Sequence, residues 1–540
     1  MKTIILAAGK IDYTQLPFGM HQSNATVPVN GKPVISWILD DLIRKKHTNI
    51  TVVIRRENHR LQQLLTNHYV PKTQLTIVEL DHPISINHSL KAGLETTDTP
   101  NNVEVILGDT LIYDSYDETS DCLFIQQVNN PENWCVAHTN EKLQLIGFSD
   151  KCKLDGKQLA LCGYYGFSDI ALLQLAIEDS ISKDAKELSH TLFYYHQHKT
   201  LKLKHVNTWF DFGHLSSMIQ SKKSLLRPRH FNALTIDPIL NTITKISEKS
   251  DKLADELAWY KSLPEELKVL TPRILETNEE NAQVIIKQEY YGYPALAELF
   301  VYGDLHPNIW ESIMDYLFQI HEQFKKHTYV LKQEVLLGMY QHKTNERIEQ
   351  LFKQNDYWKV LFNQPTVTIN NTLYKNIPEL LNNLKPKLDQ LCENKVGSVI
   401  HGDYCLSNIL YDLNNQIVRL IDPRGSFGEK GIYGDPRYDM AKLRHSLVGL
   451  YDYIVGDLFH INEHEGVFTY SLFHDEKNPI LAQVFDELLL RYEYNINEIT
   501  LIEGLLFLSM IPYHTDYPDR QKMMYIRSIE ILSRLEKVTT

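Results

Sequence analysis

Three polar residues in the second half of the chain have the types and spacing that phosphoryl transfer requires. Asp403 ends the segment His-Gly-Asp after one apolar run, Asn408 lies five residues beyond it, and a second apolar run ends at Asp422. A kinase needs one carboxylate to orient the attacking hydroxyl and accept its proton. It also needs an amide oxygen and a second carboxylate to hold magnesium on the phosphates. The three side chains match these requirements in order.

The same spacing predicts a β-hairpin that carries the two candidate metal ligands. Asn408 would enter the first strand, Asp422 would leave the second, and Asn414-Asn415 would form the turn. A lone aspartate near a histidine could instead cap a backbone amide. Both acids stand at the ends of apolar runs, however, and this combination favours chemistry.

Two further acids, Asp109 and Asp211, end apolar runs in the first half of the chain. Either one alone is more simply explained as a strand-end carboxylate that caps backbone amides. A carboxylate in that place can also face a crevice and hold a metal. The segment Leu-Ala-Ala-Gly at residues 6–9 follows a buried strand and lets the backbone turn closely past a ligand.

The elements that must position these residues divide the chain near residue 226. Strands and helices alternate up to residue 107, which predicts an α/β fold with a doubly wound, mainly parallel sheet in residues 1–226. Residues 227–540 predict a second domain of the α+β class. Its small lobe would lie at about 227–300 and its helical large lobe at about 301–540.

Composition limits the partners and the compartment. The 540 residues carry a net charge of −13, so no basic surface suggests nucleic acid or an anionic membrane as a main partner. The sequence contains no uninterrupted run of eighteen apolar residues, so we expect no membrane insertion. The six cysteines form no C-x-x-C pair, which is typical of reduced thiols in a cytoplasmic protein. The sequence leaves an oligomer open.

The pattern H-G-D-x4-N-x13-D resembles the aminoglycoside phosphotransferase and choline kinase superfamily, whose fold is similar to that of protein kinases. The resemblance implies that Asp403 is the catalytic base and that Asn408 and Asp422 bind Mg²⁺. The segment 434–443 resembles the G-D-x3-D-x-A motif of that superfamily, in which Asp439 would anchor a helix.

Kinase-like folds also place a lysine on a strand and a glutamate on the next helix, where they position the nucleotide phosphates. Lys245 and Glu256 have this order and distance along the chain. Residues 284–292 resemble the strand that leads into the adenine-binding hinge, and there Glu289 and Tyr291 are the candidate nucleotide contacts. The turn expected to cover the nucleotide lies at 232–237.

The first half resembles sugar-1-phosphate nucleotidyltransferases in the order of its motifs. That family opens with L-A-A-G, continues to V-x-G-K-P, and uses a G-D aspartate and a later W-x-D-x-G aspartate for magnesium. The resemblance implies Mg²⁺ at Asp109 and Asp211. It implies nucleotide binding by a set of residues near the first strand and beyond it: Leu6, Ala7, Ala8, Gly9, Lys10 and Lys151.

The match departs from the family where the phosphates would be bound. Asn24 stands where the phosphate-binding lysine is expected, and the glycine-rich piece has no matching arginine. Lys10 is the candidate replacement for one of these cations, and Lys151 falls near the lysine of the family's E-K-P segment. Such cations stabilise charge on the phosphates during transfer.

Together these patterns predict a bifunctional cytoplasmic enzyme of capsule or other surface-polysaccharide precursor synthesis. The C-terminal domain would phosphorylate a sugar or small alcohol with ATP. The N-terminal domain would then join that phosphate to a second NTP, with CTP one candidate, and release pyrophosphate. The alternative is a small-molecule kinase whose N-terminal domain is degenerate and senses nucleotide or serves as a scaffold. A glycosyltransferase-like first domain is a further alternative that the segment around Trp209 disfavours.

Overall fold

The computed structural model describes residues 2–10, 23–96, 102–116, 120–129, 131–225, 232–247, 250–280, 283–303, 305–393, 395–474 and 476–537. The chain forms two compact units, Met1–Leu226 and Arg227–Thr540. Each unit has its own hydrophobic interior and its own candidate site.

The strands of the first unit are β1 (Lys2–Leu6), β2 (Pro28–Val29), β3 (Lys32–Pro33), β4 (Asn49–Arg55), β5 (Gln74–Leu80), β6 (Val103–Leu107), β7 (Thr110–Ile112), β8 (Cys122–Val128), β9 (Cys135–Thr139), β10 (Leu145–Asp150), β11 (Gln158–Phe167), β12 (Lys202–His205) and β13 (Trp209–Asp211). Its α-helices are α1 (Val34–Arg44), α2 (His59–Leu64), α3 (Ile86–Leu94), α4 (Ile170–Ser182), α5 (Ser189–His198) and α6 (Leu215–Ser224).

The main sheet of this unit is mixed and not mainly parallel. Strands β5, β4, β1 and β6 lie side by side and run parallel, as the alternating pattern predicts. Beyond β6 the neighbour is β11, which runs antiparallel and also pairs antiparallel with β8 and β9. The long antiparallel β11 ends the alternation of strand and crossover helix that a parallel sheet requires.

The carboxyl end of β6 is where the acids of the first unit meet. Asp109 follows β6 directly, and the short strand β7 begins at Thr110. Strand β13 pairs antiparallel with β7 and sets Asp211 opposite Thr110. The pairing therefore brings together two aspartates that lie a hundred residues apart in sequence.

The strands of the second unit are β14 (Asn232–Asp237), β15 (Thr242–Ser247), β16 (Ile274–Glu280), β17 (Gln283–Glu289), β18 (Thr328–Leu331), β19 (Thr366–Ile369), β20 (Thr372–Lys375), β21 (Lys395–Val399), β22 (Ile409–Asp412), β23 (Ile417–Leu420), β24 (Ser426–Phe427), β25 (Glu429–Lys430), β26 (Tyr433–Gly434), β27 (Phe459–His464) and β28 (Val467–Leu472). Its α-helices are α7 (Ser250–Ser262), α8 (Leu296–Tyr302), α9 (Pro307–Lys325), α10 (Gln333–Leu337), α11 (Lys343–Gln354), α12 (Asp356–Phe362), α13 (Ile377–Asn383), α14 (Lys385–Leu391), α15 (Pro436–Leu447), α16 (Tyr451–Val455), α17 (Lys477–Arg491), α18 (Ile496–Met510) and α19 (Pro518–Lys537).

An antiparallel sheet in the order β14-β15-β17-β16 begins the second unit, and α7 packs on β17. The prediction of a covering turn at 232–237 is wrong, because those residues form β14 and the turn lies at 238–241. The segment alternates Leu234 with Ile236, a pattern of period two that is typical of a strand.

The rest of the second unit is mostly helical but also contains small sheets that the sequence interpretation missed, among them β20-β19-β28-β27. The sequence of residues 379–392 predicts one helix with a kink at Pro386. The structure has two helices there, α13 and α14, with Pro386 in the first turn of α14. Within the described chain one segment, Ile496–Tyr513, has the length and apolar character to cross a membrane, and 67% of it is buried inside the structure.

Candidate functional site

Asp109 and Asp211 of the first unit lie on either side of Gly213. A Cβ atom placed on Gly213 would lie 3.0 Å from Oδ2 of Asp109 and 3.4 Å from Oδ1 of Asp211. The backbone fixes this arrangement, since the amide of Phe212 donates to the Asp109 carbonyl at 2.9 Å. The absence of a side chain at Gly213 leaves the space between the two carboxylates open.

The electrostatics of this pair suit a divalent cation. Burial, followed by repulsion from Asp109, raises the pKa of Asp211 to about 6. Oδ2 of Asp211 is buried and has no hydrogen-bond partner in the described part of the unit. Hard oxygen donors of this kind fit Mg²⁺. The described residues hold no cluster of three or more His, Cys, Asp or Glu for a metal, so substrate phosphates or water would complete the ligand set.

The Leu-Ala-Ala-Gly segment lies against the loop that carries Asp109. Leu6, Ala7 and Ala8 are buried, whereas Gly9 is exposed. A Cβ atom on Gly108 would lie 2.8 Å from the Cα atom of Ala7, so the two backbones touch. The backbone around residues 6–9 therefore reaches the edge of the sheet at which the aspartates lie.

Asn24 contacts the acid pair directly, which sequence reasoning did not predict. Its amide nitrogen donates to Oδ2 of Asp109 at 3.0 Å. A neutral amide thus occupies a position where the nucleotidyltransferase pattern expects a lysine. The two candidate phosphate-binding lysines point elsewhere. Lys10 pairs with Glu57 at 3.3 Å and Lys151 with Glu187 at 2.8 Å, both near the surface.

In the second unit, β22 and β23 form the hairpin that the spacing predicts. Ile409 lies opposite Leu420, and the amide of Ile421 donates to the Asn408 carbonyl at 3.0 Å. Asn408 and Asp422 therefore flank the same end of the hairpin. Asp422 has a left-handed backbone with φ of 55°, a conformation that costs energy and recurs at functional sites.

Lys245 links this hairpin to the small sheet. Its Nζ atom lies 2.7 Å from Oε1 of Glu256 and 2.5 Å from Oδ1 of Asp422. Burial, with the nearby charge of Asp422, raises the pKa of Glu256 to about 7 against the opposing effect of Lys245. Two carboxylates therefore share this one cation. The excess negative charge, with the amide of Asn408 nearby, fits the donor set of a Mg²⁺ site.

Gly425 fixes the loop after Asp422 against α7, which carries Glu256. It has φ of 67°, and a Cβ atom there would lie 2.0 Å from the carbonyl oxygen of Asp255. Only glycine permits both this backbone conformation and this approach. The contact sets the distance between Asp422 and Glu256.

Asp403 makes two contacts that hold its carboxylate in place. Nζ of Lys442 lies 2.8 Å from Oδ1, and the amide nitrogen of Asn408 donates to Oδ2 at 3.0 Å. Burial would raise the pKa of Asp403, but Lys442 and then His401 and Arg424 outweigh it and lower the pKa to about 2. The side chain still exposes 39% of its surface, so an ionised carboxylate is open to a substrate.

Asp439, a fully buried residue of α15, holds the loop around Asp403 in place. Its carboxylate accepts hydrogen bonds from the amides of His401 at 2.7 Å and Gly402 at 2.8 Å. Burial lowers the pKa of His401, whose two ring nitrogens have no hydrogen-bond partner in the described part of the chain. Asp439 has the anchoring role that the resemblance implies, and His401 is a neutral core residue.

The predicted hinge lies beside the β22–β23 hairpin. The hydroxyl of Tyr291 donates to Glu289 at 2.7 Å, and the guanidinium of Arg419 on β23 lies 5.0 Å from the Tyr291 ring. The amide of Tyr411 on β22 donates to the Pro294 carbonyl at 3.0 Å. The chain after β17 thus runs along the strand that begins next to Asn408.

The tyrosine and histidine side chains of the helical region lie in separate places. His460 and His464 are exposed on β27, away from any described contact with Asp403. Tyr451 and His514 do lie together, with ring centroids 6.3 Å apart, and Tyr451 packs on buried His445 at 4.2 Å. His445 lies one helical turn after Lys442 on α15, so this aromatic group packs next to the lysine that holds Asp403.

Comparison with known proteins identifies the class of the first unit. Residues 2–227 match the family model described as nucleotidyl transferase, so the first unit is a nucleotidyl transferase domain. The match ends at the start of the second unit, which is an α+β domain. A search of curated proteins found no match.

Solved structures resemble the same part of the chain. One, from Bacillus anthracis, is named for glucose-1-phosphate thymidylyltransferase activity and was crystallised with sucrose. It is 21% identical, covers 43% of this chain and 98% of its own, and gives a TM-score of 0.38. HddC from Yersinia pseudotuberculosis is 15% identical, covers 42% of this chain and 99% of its own, and gives a TM-score of 0.34. A second structure of HddC, complexed with GMP-PN, is 14% identical over 42% of this chain and 99% of its own, with a TM-score of 0.31. Likeness at this level does not carry the substrates of those proteins to this chain.

Proposed function

We propose that the chain is a bifunctional enzyme that activates a small hydroxyl compound in two steps. The second unit is a small-molecule kinase that transfers the γ-phosphoryl group of ATP to a hydroxyl. The first unit joins the resulting phosphate to a nucleotide and releases pyrophosphate. The observation that carries the kinase proposal is the linkage of Lys245 to both Glu256 and Asp422, beside Asp403 held by Lys442.

In the kinase step the residues of this chain position the reactants. Lys245, kept in place by Glu256, binds nucleotide phosphates, and the hinge at Glu289 and Tyr291 holds the base. Asp403 orients the acceptor hydroxyl and takes its proton. An oxygen–phosphorus bond forms at the acceptor, while the bond between the γ-phosphorus and the β–γ bridging oxygen breaks and ADP leaves. Mg²⁺ at Asn408 and Asp422 would neutralise charge on the phosphates.

The low pKa of Asp403 limits what this carboxylate would contribute as a base. At a pKa of about 2 it is a weak base. Its main contribution is therefore to orient the hydroxyl, and it takes the proton late, as the oxygen–phosphorus bond forms. This suits a dissociative transfer, in which the attacking oxygen becomes strongly acidic only near the end of the step.

In the nucleotidyl step Asp109 and Asp211 would hold Mg²⁺ on the triphosphate, and the backbone at residues 6–9 would lie along the nucleotide. The product would be an activated sugar or alcohol for a surface polysaccharide, made in the cytoplasm. CTP is one candidate for the second nucleotide.

A second reading of the first unit has one observation in its favour. Asn24 donates to Asp109 at the place of a phosphate-binding lysine, and Lys10 and Lys151 are paired with surface glutamates. A site at which these two lysines are engaged elsewhere could bind nucleotide without transferring it. The kinase would then be the only catalytic half.

Mass spectrometry of the products separates these readings. The full chain is incubated with ATP, each other NTP and a mixed metabolite extract, and compared with Asp403→Asn and Asp109→Asn. Asp403→Asn is expected to remove the monophosphate product, and Asp109→Asn only the nucleotide-linked product. Nucleotide binding with no pyrophosphate release would leave the first unit as a sensor. The absence of any phosphorylated product would remove the kinase assignment.

A further inference from the structure

A group of cations surrounds Tyr438 next to the candidate base, and two of them have no acidic partner. We call this group, Lys343, Arg424 and Lys442, the cation cluster. Arg424 donates to the Tyr438 hydroxyl at 2.9 Å, and Nζ of Lys343 lies 5.9 Å from the centre of the same ring. Lys442 pairs with Asp403. Within the described part of the unit, no ion pair includes Lys343 or Arg424.

The cations of this cluster are close enough to act on one another. Burial, together with the charges of Arg424 and Lys442, lowers the pKa of Lys343 to about 8 against the opposing effect of Tyr438. Burial would raise the pKa of Tyr438, yet Lys343, Arg424 and Lys442 bring it down to about 8. Lys442 has the Asp403 carboxylate as its counter-charge, but Lys343 and Arg424 have no acidic partner of their own among the described residues. Partly buried positive charge without such a partner is costly to the fold, which indicates that these two cations are kept for a ligand.

The backbone fixes the cluster beside Asp403. The amide of Arg424 donates to the His401 carbonyl at 2.9 Å. The Arg424 side chain covers Gly402, where an added Cβ atom would lie 2.8 Å from the Cβ atom of Arg424. An anion bound by Arg424 would therefore lie close to the Asp403 carboxylate, which orients the acceptor hydroxyl.

The cation cluster and the predicted nucleotide-binding residues belong to different helices and strands. Lys343 begins α11, and Tyr438 and Lys442 belong to α15. Lys245, Glu256 and Glu289 lie on β15, α7 and β17 at the start of the unit. This division favours the acceptor over the nucleotide as the partner of Lys343.

We propose that the hydroxyl compound phosphorylated by the second unit carries an anionic group, a phosphate or a carboxylate, which Lys343 and Arg424 bind beside Asp403. The proposal rests on the kinase function proposed above and defines its substrate class. It disfavours a cationic acceptor such as choline, because such an acceptor would face three positive side chains. A neutral polyol would leave Lys343 and Arg424 without an acidic partner.

The test is the binding of inorganic phosphate to the full chain at saturating magnesium and a non-hydrolysable ATP analogue, which occupies the γ-phosphate position. Calorimetry compares the wild type with Lys343→Met, Lys343→Arg and Lys353→Met, the last an exposed lysine of the same helix. We expect Lys343→Met to raise the phosphate dissociation constant by about tenfold or more, the loss typical of a buried charge contact. Lys343→Arg and Lys353→Met should keep binding near that of the wild type.

Kinetics supply the second arm. Glycerol 3-phosphate is compared with glycerol, and glucose 6-phosphate with glucose, as acceptors in an ATP-consumption assay. Two results together support the proposal. The wild type prefers the phosphorylated acceptors, and Lys343→Met raises the KM for the acceptor but not the KM for ATP. Equal phosphate binding by wild type and Lys343→Met, or a rise confined to the KM for ATP, would overturn it. Asp403-dependent turnover of neutral acceptors alone would retain the kinase function and reject the anionic substrate.

Discussion

Nζ of Lys442 lies 2.8 Å from Oδ1 of Asp403, and this contact joins α15 to the loop that carries the candidate base. Asp403 and Lys442 have opposite pKa shifts: that of the carboxyl falls to about 2, while that of the ammonium rises. Both groups are therefore charged across the physiological range. The lysine holds the carboxylate in one orientation, and Asn408 holds its other oxygen.

Replacement of Lys442 by Met is expected to lower kcat more than it changes either KM. The carboxylate would lose its orienting partner and its pKa would rise toward the ordinary range. We expect kcat to fall by about a hundredfold, within the usual contribution of a positioned acid–base group. Steady-state kinetics with Lys442→Arg as the charge-keeping control would check this. A kcat equal to that of the wild type would exclude the orienting role.

Glu256 and Lys245 should differ in how their loss affects nucleotide binding. Lys245→Met removes the cation proposed for the phosphates and leaves Glu256 and Asp422 without their shared partner. We expect ATP affinity to fall by about tenfold or more. Glu256→Gln keeps the volume of the side chain and a hydrogen-bond acceptor, so this variant should lose less ATP affinity than Lys245→Met. Fluorescent ATP-analogue binding measures both, and a larger loss in Glu256→Gln would contradict the proposed division of roles.

Gly425→Ala tests the loop that sets Asp422 against α7. Alanine would have to adopt a left-handed backbone conformation, and its Cβ atom would clash with the Asp255 carbonyl. We expect the free energy of unfolding to fall by about 2 kcal/mol. Activity should fall as well, because the loop carries Asp422. Gly338→Ala is the matched control, since an added Cβ atom there has no neighbour within 4 Å. Urea unfolding and ATP turnover of both variants give the comparison, and equal values would show that the loop tolerates a side chain.

Glu104 in β6 should give the first unit a measurable pH dependence. Burial raises its pKa from 4.5 to about 7. A carboxyl whose pKa is raised by folding binds more protons in the folded state, so the free energy of unfolding falls as pH rises between these values. The expected loss is about 3 kcal/mol.

Glu104→Gln removes this titration and should be the more stable protein at about pH 8, with little difference at about pH 4. Burial lowers the pKa of His47, and its Nδ1 atom lies 3.5 Å from Oε2 of Glu104, so the two groups are coupled. The same comparison in a His47→Gln background isolates the contribution of Glu104. Peptide-level hydrogen exchange over β1 and β6 identifies the transition of the first unit. A difference that does not change with pH would show that Glu104 is ionised in the fold.

Local patterns predicted the elements that carry the candidate residues, because apolar runs and turn residues act over short distances. The hairpin of β22 and β23 follows from Asn414-Asn415 between two apolar runs, and β6 has the bounds that its sequence indicates. Parallel order among β5, β4, β1 and β6 also followed from alternation. The antiparallel β11 did not, since apolar strands carry no signal of direction.

Contacts between distant segments were beyond the reach of such patterns. No spacing links Lys343 to Arg424, or Asn24 to Asp109. Lys442 did have a signal: it lies three residues after Asp439 on α15, and residues so spaced share a helix face. With Asp439 anchoring the His-Gly-Asp loop, that spacing places Lys442 toward Asp403.

The kinase assignment of the second unit is tested most directly by following γ-labelled ATP in the full chain with a mixed metabolite extract. The account predicts a label-bearing, acid-stable small molecule whose formation requires magnesium and is lost in Asp403→Asn, while Asp109→Asn forms it at the wild-type rate. Label appearing only as inorganic phosphate, or a product that forms equally in Asp403→Asn, would contradict the account.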